Sequence, residues 1–365
     1  MLDRFVRLCE TASPTGSERA VADAVASELQ GAGVDVVEDG AAGPARAGAG
    51  NLIARVRGSG ERWVMFCAHL DTVPHSEPIE VELQDGVFRS RGETILGADN
   101  KAAVTVLCEL VLRALQNPPP VGLELVFTVA EEDGLRGAKE VDLEALRSPF
   151  GIVLDHASAI GQVITAAPTH NRVVAEFEGA EAHAGIRPED GRSAIEAAAT
   201  AISRMELGRL DPETTANVGV ISGGTATNVV ASACRMEAEA RSIDERRAAE
   251  ATSALVDACT WAASERNVDV DVDVSEVFRG YRLRSSTRAV RIASEALRRT
   301  GHEPSEVATG GGSDANALIA RGFECALLAN GTEANHTPAE SVAAQRIVEM
   351  LEVCEAITAV AAEED

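Results

Sequence analysis

Several short apolar runs in this chain end directly at acidic or histidine residues. The run WVMFCA is followed by His69 and Asp71, and the run GIVL is followed by Asp155. A third run, LELVFTVA, ends at the neighbouring acids Glu131 and Glu132. Apolar runs of this length predict buried strands of a parallel sheet, and ligands bind beyond the carboxyl ends of such strands. We therefore expect these side chains to gather along one edge of a sheet.

Two more residues extend this pattern. Asp99 stands in GADN immediately before a long helical segment, and His336 lies just beyond the apolar run CALLANG. Taken alone, Asp99 could be an ordinary helix cap, and His336 could be a surface residue of a polar turn. Taken with the strand-end residues, they complete a set of imidazole and carboxylate groups, which are ligands of divalent metals such as Zn²⁺. The sequence therefore predicts a metal site.

The composition limits the partners of the chain. Its 58 acidic residues outnumber 33 basic residues and give a net charge of −25, which opposes binding to nucleic acid phosphates. Its seven cysteines are spread along the chain without a CxxC pair, so neither a disulfide framework nor a thiolate zinc site is expected. No apolar stretch approaches the roughly 18 residues of a membrane span, and the N-terminus does not resemble a signal peptide. We expect a cytoplasmic protein without a membrane partner.

The order of the predicted elements indicates two domains. Residues 1–167 and 280–365 alternate strand and helix patterns, which predicts an α/β domain with a doubly wound, mainly parallel sheet. Residues 168–279 have the order β-α-β-β-α-β, which is typical of a ferredoxin-like α+β sandwich. We therefore expect a metal-binding catalytic domain that is interrupted by an inserted lid or dimerisation domain.

Five motifs resemble, in order and spacing, the metal-site signature of the M20 family of dinuclear zinc peptidases and amidohydrolases. They are HLDTVP at 69–74, GADNKAA at 97–103, EED at 131–133, Asp155, and NHTPAE at 335–340. The resemblance covers nearly the whole chain. It implies five ligands for two divalent ions: Asp99 bridging both ions, His69 and Asp155 on one, and Glu132 and His336 on the other. The expected metal is Zn²⁺, although histidine and carboxylate ligands also suit Co²⁺ or Mn²⁺.

Two more residues have roles that the resemblance implies. Asp71 would hold His69, with which it shares one face of a strand at spacing i, i+2. Glu131 would be the general base, taking a proton from a water that bridges the two ions and passing it to the leaving amine. Together these residues predict metal-dependent hydrolysis of an amide bond.

The inserted segment contains three residues that the resemblance places near the substrate. His183 in the AHAG segment would stabilise the oxyanion, either in its own subunit or across a dimer. Asn228 and Arg241 would bind the backbone or carboxylate of the substrate. Each of the three could instead be an ordinary loop or surface residue. The run TGGGSDAN at 309–316 lacks the GK[ST] ending of a phosphate-binding loop, and the resemblance implies that it lines the substrate pocket.

The segments around these residues look most like the peptidase T and peptidase T-like branch of the family. This branch implies an exopeptidase of short peptides, similar to a tripeptide aminopeptidase. We also expect a homodimer formed through the inserted domain, whose strands could pair across a dimer axis. The sequence leaves two alternatives open. One is a deacylase of N-acyl amino acids or a carboxypeptidase of the same family, and the other is an inactive metal-containing binding protein. The presence of Glu131 and all five ligands argues against the second alternative.

Overall fold

The computed structural model of the chain describes residues 1–364, which form two compact units. The first unit comprises residues 1–165, 283–308 and 313 onward, and the second comprises residues 166–282 and 309–312. The predicted insertion, residues 168–279, falls inside the longer segment of the second unit. Within the described residues, no helix is both long enough and apolar enough to cross a membrane.

The two units contain both helices and strands. The α-helices are α1 (Leu2–Glu10), α2 (Arg19–Gly31), α3 (Ala98–Gln116), α4 (Arg136–Glu140), α5 (Ala194–Arg204), α6 (Glu245–Arg266), α7 (Arg288–Arg299), α8 (Asp314–Ala320) and α9 (Ala344–Glu363). The strands are β1 (Asp35–Glu38), β2 (Leu52–Val56), β3 (Trp63–His69), β4 (Val81–Gln84), β5 (Val87–Ser90), β6 (Gly122–Thr128), β7 (Gly151–His156), β8 (Gln162–Ala167), β9 (Thr169–Glu178), β10 (Gly208–Asp211), β11 (Thr214–Gly223), β12 (Ala233–Ser242), β13 (Asp269–Phe278), β14 (Tyr281–Arg282), β15 (Ser305–Ala308), β16 (Cys325–Ala329), β17 (Thr332–Glu333) and β18 (Ser341–Ala343).

The first unit is built on a sheet with the strand order β1-β2-β6-β3-β7-β16-β8. Strand β3 is parallel to both β6 and β7, and β16 is parallel to β7, so the four central strands run in one direction. Strand β1 pairs with β2, β2 with β6, and β8 with β16, and these three pairs are antiparallel. The predicted α/β class is confirmed. The sheet is mixed because the short connections 57–62 and 157–161 reverse the chain without a helical crossover.

The central strands are apolar runs buried on both faces. Phe66 in β3, Phe127 in β6 and Ile152 in β7 are fully buried, as expected for strands inside an α/β domain. Helix α3 shares their core through residues such as Leu107, and it ends at Gln116, ahead of three prolines that cannot continue a helix. Because the central strands are parallel, their carboxyl ends lie at the same edge of the sheet.

Four short strands form a second sheet in the first unit, in the order β17-β18-β5-β4. Each has only two to four residues, which is too short for an alternating pattern to predict it from sequence. His336 lies in the connection between β17 and β18. Strand β18 in turn pairs with β5 through Ser341 and Arg89. This sheet therefore fixes both ends of the turn that carries His336.

The second unit is an antiparallel sheet with the order β10-β11-β12-β9-β13, against which α5 and α6 pack. Buried alanines such as Ala197 and Ala262 let the two helices approach the sheet closely, and Phe177 and Met236 fill its core. The predicted β-α-β-β-α-β arrangement is confirmed, with the short strand β10 added before β11. Strand β14 pairs with the last two residues of β8, within the same unit.

Candidate metal centre

The first group of candidate ligands surrounds His69 at the end of β3. Its Nε2 atom lies 3.2 Å from Asp99 Oδ1 and 3.3 Å from Asp155 Oδ1. The three side chains are largely buried, and that of His69 is only 1% exposed. Burial alone would lower the pKa of His69, but the carboxylates of Asp155, Asp71 and Asp99 raise this pKa well above its usual range. The group therefore concentrates negative charge around one buried imidazole.

The second group surrounds His336 in the turn between β17 and β18. Its Nε2 atom lies 3.2 Å from Asp99 Oδ2 and 3.0 Å from Glu132 Oε1. The side chain of His336 is 49% exposed, and its pKa is raised to about 10 by the hydrogen bonds to Asp99 and Glu132. Asp99 is thus shared by both groups: its Oδ1 faces His69 and its Oδ2 faces His336.

The donor atoms in both groups suit a divalent metal ion. Within each group, one ligand atom from every residue lies within 4.8 Å of the others. Glu132 Oε1 is buried and has no well-formed hydrogen bond, although it faces His336. A buried carboxylate oxygen in this state is costly unless a cation or a donor compensates it. Imidazole nitrogens and carboxylate oxygens converging in this way form a set that divalent ions bind well.

Asp71 holds the loop that follows β3. His69 Nδ1 lies 3.1 Å from the Asp71 carbonyl oxygen, and the Asp71 carboxylate is farther away, at 3.5 Å. The same carboxylate accepts the backbone N–H groups of Glu131 and Glu132 at 3.0 and 3.2 Å and the hydroxyl of Thr15 at 2.8 Å. Asp71 therefore orients His69 mainly through its main chain, and its side chain fixes the position of the two glutamates.

Glu131 lies beside the first group and is buried, with 7% of its surface exposed. Its carboxylate belongs to a third close set, with His69 and Glu132, whose ligand atoms also lie within 4.8 Å of one another. Burial raises the pKa of Glu131 well above its usual range, and the neighbouring Asp155 raises it further. A carboxylate with a raised pKa accepts a proton more readily, which suits a general base.

The structure also reveals two polar residues near the ligands to which the sequence pattern assigned no role. Asn100 Nδ2 donates to Asp155 Oδ1 at 3.1 Å and to the Leu154 carbonyl at 2.8 Å. Lys101 is one of only two lysines in the chain, and its buried Nζ donates to the Leu70 carbonyl at 2.6 Å and to Ser13 Oγ at 2.7 Å. Both lie in the GADNKAA motif, but only the tertiary structure shows what their side chains contact.

A further buried carboxylate, Asp314, begins helix α8 in the TGGGSDAN segment. The hydroxyl of Thr128 donates to Asp314 Oδ2, and the Cys67 thiol donates to the same oxygen at 3.6 Å. Asp314 Oδ1 is buried without a hydrogen bond. Burial raises the pKa of Asp314 to about 6. The sequence signal for Asp314 was its position directly after Ser313, which caps helix α8. An acid that is buried at the start of a helix is rarely without a partner.

The three predicted substrate residues belong to the second unit. His183 and Asn228 lie on adjacent segments and are exposed, and the Ala184 N–H donates to the Asn228 carbonyl at 2.9 Å. Arg241 on β12 pairs in two-pronged fashion with Glu239, with N–O distances of 3.1 and 3.0 Å. Within this unit, His183 and Asn228 are therefore neighbours, and the Arg241 guanidinium already binds a carboxylate.

Comparisons with known proteins agree with this geometry. Residues 169–267 match the peptidase dimerisation domain of the M20 family, and residues 51–167 match peptidase family M28. The chain is 36% identical over 360 residues to the uncharacterised protein YqjE of Bacillus subtilis (strain 168). The matched region covers 98% of this chain and 97% of that protein.

Two solved structures are similar over nearly their whole length. Aminopeptidase PepT from Bacillus cereus ATCC 10987 is 36% identical, with a TM-score of 0.86 over 99% of this chain and 98% of that chain. A tripeptidase from Staphylococcus aureus subsp. aureus mu50 is 34% identical, with a TM-score of 0.92 over 100% of this chain and 98% of that chain. The resemblance predicted from the sequence motifs is confirmed. The chain belongs to the M20 peptidase family, in its peptidase T-like branch.

Proposed function

We propose that this protein is a metal-dependent aminopeptidase of short peptides, with tripeptides as its main substrates and two zinc ions as its cofactor. The observation that carries the proposal is the position of Asp99, whose two carboxylate oxygens face two separate groups of ligands. The similarity to an aminopeptidase and a tripeptidase supports the same chemistry.

The proposed ligands divide between the two sides of Asp99. His69 and Asp155 would hold one ion, Glu132 and His336 would hold the other, and Asp99 would bridge them. A mixture of imidazole and carboxylate ligands favours Zn²⁺, with Co²⁺ and Mn²⁺ as alternatives. When bound, two divalent ions acidify a water molecule and polarise the carbonyl of the bond to be cleaved.

Glu131 is the proposed general base. Its carboxylate takes a proton from the attacking water and returns it to the nitrogen of the leaving amine. The raised pKa of Glu131, caused first by burial, favours the first of these transfers. The hydrogen bond from the Glu131 N–H to Asp71, at 3.0 Å, keeps the base in place between transfers.

Three residues of the second unit complete the proposal. His183 stabilises the oxyanion, and Asn228 and Arg241 bind the main chain or the carboxylate of the substrate. An arginine binds a carboxylate through two parallel hydrogen bonds, so this role requires Arg241 to exchange its pair with Glu239 for one with the substrate.

We also propose a cytoplasmic homodimer formed through the second unit. The match to a peptidase dimerisation domain supports the dimer, as do the exposed side chains of Val220 and Ile221 on β11. The seven cysteines are all buried free thiols, which suits a reducing compartment. Sedimentation as a monomer at micromolar concentration would contradict the dimer.

A substrate panel tests the reaction. Zinc- and cobalt-loaded protein is assayed on dipeptides, tripeptides and N-acyl amino acids, with free and with blocked termini. We expect hydrolysis of tripeptides that requires a free amino terminus. Cleavage of substrates with a blocked amino terminus would instead indicate a deacylase or carboxypeptidase. Metal binding without any hydrolysis would indicate a binding protein.

The base is tested by Glu131→Gln, which keeps the shape of the side chain but cannot accept the proton. We expect kcat to fall by about 10²–10⁴-fold while the metal content stays unchanged. The matched control is Asp133→Asn in the same EED motif, whose side chain is 69% exposed and pairs with Arg136 at 3.0 Å. This control should retain nearly full activity. A Glu131→Gln variant with nearly normal kcat would exclude Glu131 as the base.

A further inference from the structure

Three backbone N–H groups of the segment that leads to Asp99 donate to one carboxylate, that of Glu340. The Leu96 and Gly97 N–H groups donate to Oε2 at 2.8 and 2.9 Å, and the Asp99 N–H donates to Oε1 at 2.9 Å. Glu340 is 1% exposed. Both of its oxygens are therefore used to hold the backbone around a single ligand.

The main chain of Glu340 belongs to the turn that carries His336. The Glu340 N–H donates to the Thr337 carbonyl at 3.0 Å, and Thr337 Oγ1 donates to the Ala334 carbonyl at 2.7 Å. The next residue, Ser341, begins β18. Glu340 is thus rigidly attached to the His336 turn by its backbone and to the Asp99 segment by its side chain.

This connection matters because the two segments approach each other at the candidate metal centre. Asp99 Oδ2 and His336 Nε2 lie 3.2 Å apart, although 237 residues separate them in the chain. The backbone of His336 adopts a left-handed conformation with φ of 64°, and Gly97 has φ of 72°. In a non-glycine residue such as His336, a conformation of this kind persists only where the surroundings impose it. Glu340 constrains both segments, the Asp99 segment through its carboxylate and the His336 turn through its backbone.

We propose that Glu340 is a positioning residue that keeps the Asp99 carboxylate in register with the His336 imidazole and thereby sets the metal affinity of the centre. The proposal rests on the proposed function, in which Asp99 and His336 are both ligands. Partners that orient metal ligands in this indirect way typically contribute 10- to 100-fold to affinity or activity.

The substitution Glu340→Gln tests this role with little change of volume. Because Oε1 and Oε2 both accept N–H groups, either orientation of the glutamine amide places its NH₂ against a backbone donor. One side of the clamp is therefore lost and replaced by repulsion between donors.

The first measurement is a Co²⁺ titration followed by visible absorption, which reports both affinity and ligand geometry without any peptide substrate. We expect Glu340→Gln to weaken Co²⁺ binding by about 10- to 100-fold and to change the spectrum of the loaded protein. The matched control is Glu124→Gln. Glu124 is also fully buried and accepts the backbone N–H groups of Arg147 and Ser148 at 3.0 and 3.1 Å. It lies near the start of β6, however, whereas Glu131 follows the end of that strand.

The control should lower the thermal stability while Co²⁺ affinity and spectrum stay as in the wild type. If both variants lose stability and neither loses Co²⁺ affinity, Glu340 is only a structural residue and the proposal is overturned. Should Glu340→Gln not fold, Glu340→Asp provides the same comparison, because it keeps the charge but is one methylene too short to reach all three N–H groups.

The second measurement is hydrogen exchange in the metal-free protein. Glu340→Gln should speed exchange in residues 96–99, and Glu124→Gln should not. Unchanged exchange in that segment would refute the clamp itself. A wild-type protein that binds Co²⁺ but cleaves no peptide would refute the proposed function and leave the Co²⁺ test of Glu340 intact. A wild-type protein that binds no Co²⁺ would refute the proposed metal centre, and with it the effect of Glu340 on affinity.

Discussion

The carboxylates around His69 and the carboxylates on strand β12 are both crowded, but their surroundings differ. On β12, Glu237 pairs with Arg172 and Arg235, while Glu239 pairs with Arg241 at 3.0 Å and with His170 at 3.0 Å. The hydrogen bond from His170, together with Arg241, lowers the pKa of Glu239 to about 2. These acids are stabilised in their charged form by arginines and by the hydrogen bond from His170.

At the candidate metal centre the acids outnumber the cations that contact them. The ligand carboxylates of Asp99, Glu132 and Asp155 are paired with histidines, His69 and His336. Burial raises the pKa of Asp155 well above its usual range, as it does for Glu131 and Asp314. Burial would also raise the pKa of Asp99, but the hydrogen bonds from His336 and His69 lower it. The three acids whose pKa values are raised lack positive charge.

The difference gives a physical criterion for separating a structural acid cluster from a metal-binding one. Both clusters contain several acids, and the number of acids alone does not distinguish them. What distinguishes them is the source of compensation: arginines on β9 and β12 with the hydrogen bond from His170 in one cluster, and the proposed divalent ion at the centre around Asp99. Strongly perturbed acids in one place are also a general mark of functional sites.

The largest effect that tests this comparison is expected for His69→Ala. In the metal-free protein this change leaves Asp155 buried without its cation and removes one of the two histidines beside Asp99, which costs about 3–5 kcal/mol of unfolding free energy. His336→Ala should cost less than about 1 kcal/mol, because the imidazole is 49% exposed and solvent screens its ion pairs. Urea denaturation in the presence of a chelator measures both.

Metal addition extends the same test. Zinc at about 100 times its dissociation constant should stabilise the wild-type protein by about 2.7 kcal/mol for each ion bound. It should stabilise His69→Ala less, because only the group around His336 keeps all its ligands. Equal losses of unfolding free energy in His69→Ala and His336→Ala would mean that the buried group around His69 is not the stronger site. Equal stabilisation of the wild type and His69→Ala by zinc would mean the same.

Much of this centre could be predicted from sequence because its ligands stand at strand ends. A short apolar run followed by an acid or histidine identifies both the strand and the point where it stops, and parallel strands bring such points to one edge. His69, Glu132 and Asp155 were predictable for this reason. The resemblance of the motifs to one family then supplied the roles.

The supporting residues could not be predicted in the same way. Glu340, Asn100 and Lys101 all lie inside the recognised motifs, but their roles depend on which backbone groups the fold brings near them. The sheet that fixes the His336 turn was missed because its strands, such as β17 and β18, have only two or three residues. Short strands of this kind are stabilised by their tertiary neighbours and not by local sequence preference.

An intermediate effect, opposite in sign, is expected for Asp314→Asn in the metal-free protein. Burial raises the pKa of Asp314 from 3.8 to about 6 in the folded state, so the folded protein binds a proton that the unfolded chain releases in this range. Folding stability therefore falls as pH rises from about 4 through 6, and above that the ionised acid is a penalty. Asparagine is never ionised, so it should stabilise the protein by about 1–3 kcal/mol at pH 7 and by little at pH 4.

The comparison isolates the charge because both side chains place one polar atom where Asp314 Oδ1 has no hydrogen bond. Denaturation midpoints of the two proteins across pH 4–8 provide the measurement. If asparagine destabilises the protein equally at every pH, the site does not lack positive charge, and the contrast with β12 fails.

The smallest effect is expected for Glu239→Gln, where the acid is already compensated. The pKa of Glu239 is lowered from 4.5 to about 2, first by the hydrogen bond from His170, so its contribution is present above about pH 4.5 and is lost as pH falls toward 2. The side chain is 34% exposed, and solvent screening limits the cost of the substitution to less than about 1 kcal/mol at pH 7. Denaturation at pH 7 and pH 3 should show that the cost of Glu239→Gln is smaller at pH 3. Asp314→Asn, in contrast, should stabilise the protein at neutral pH and have little effect in acid. A Glu239→Gln variant that is more stable than the wild type at pH 7 would mean that the β12 acids also lack positive charge, and the criterion that separates the two clusters would be wrong.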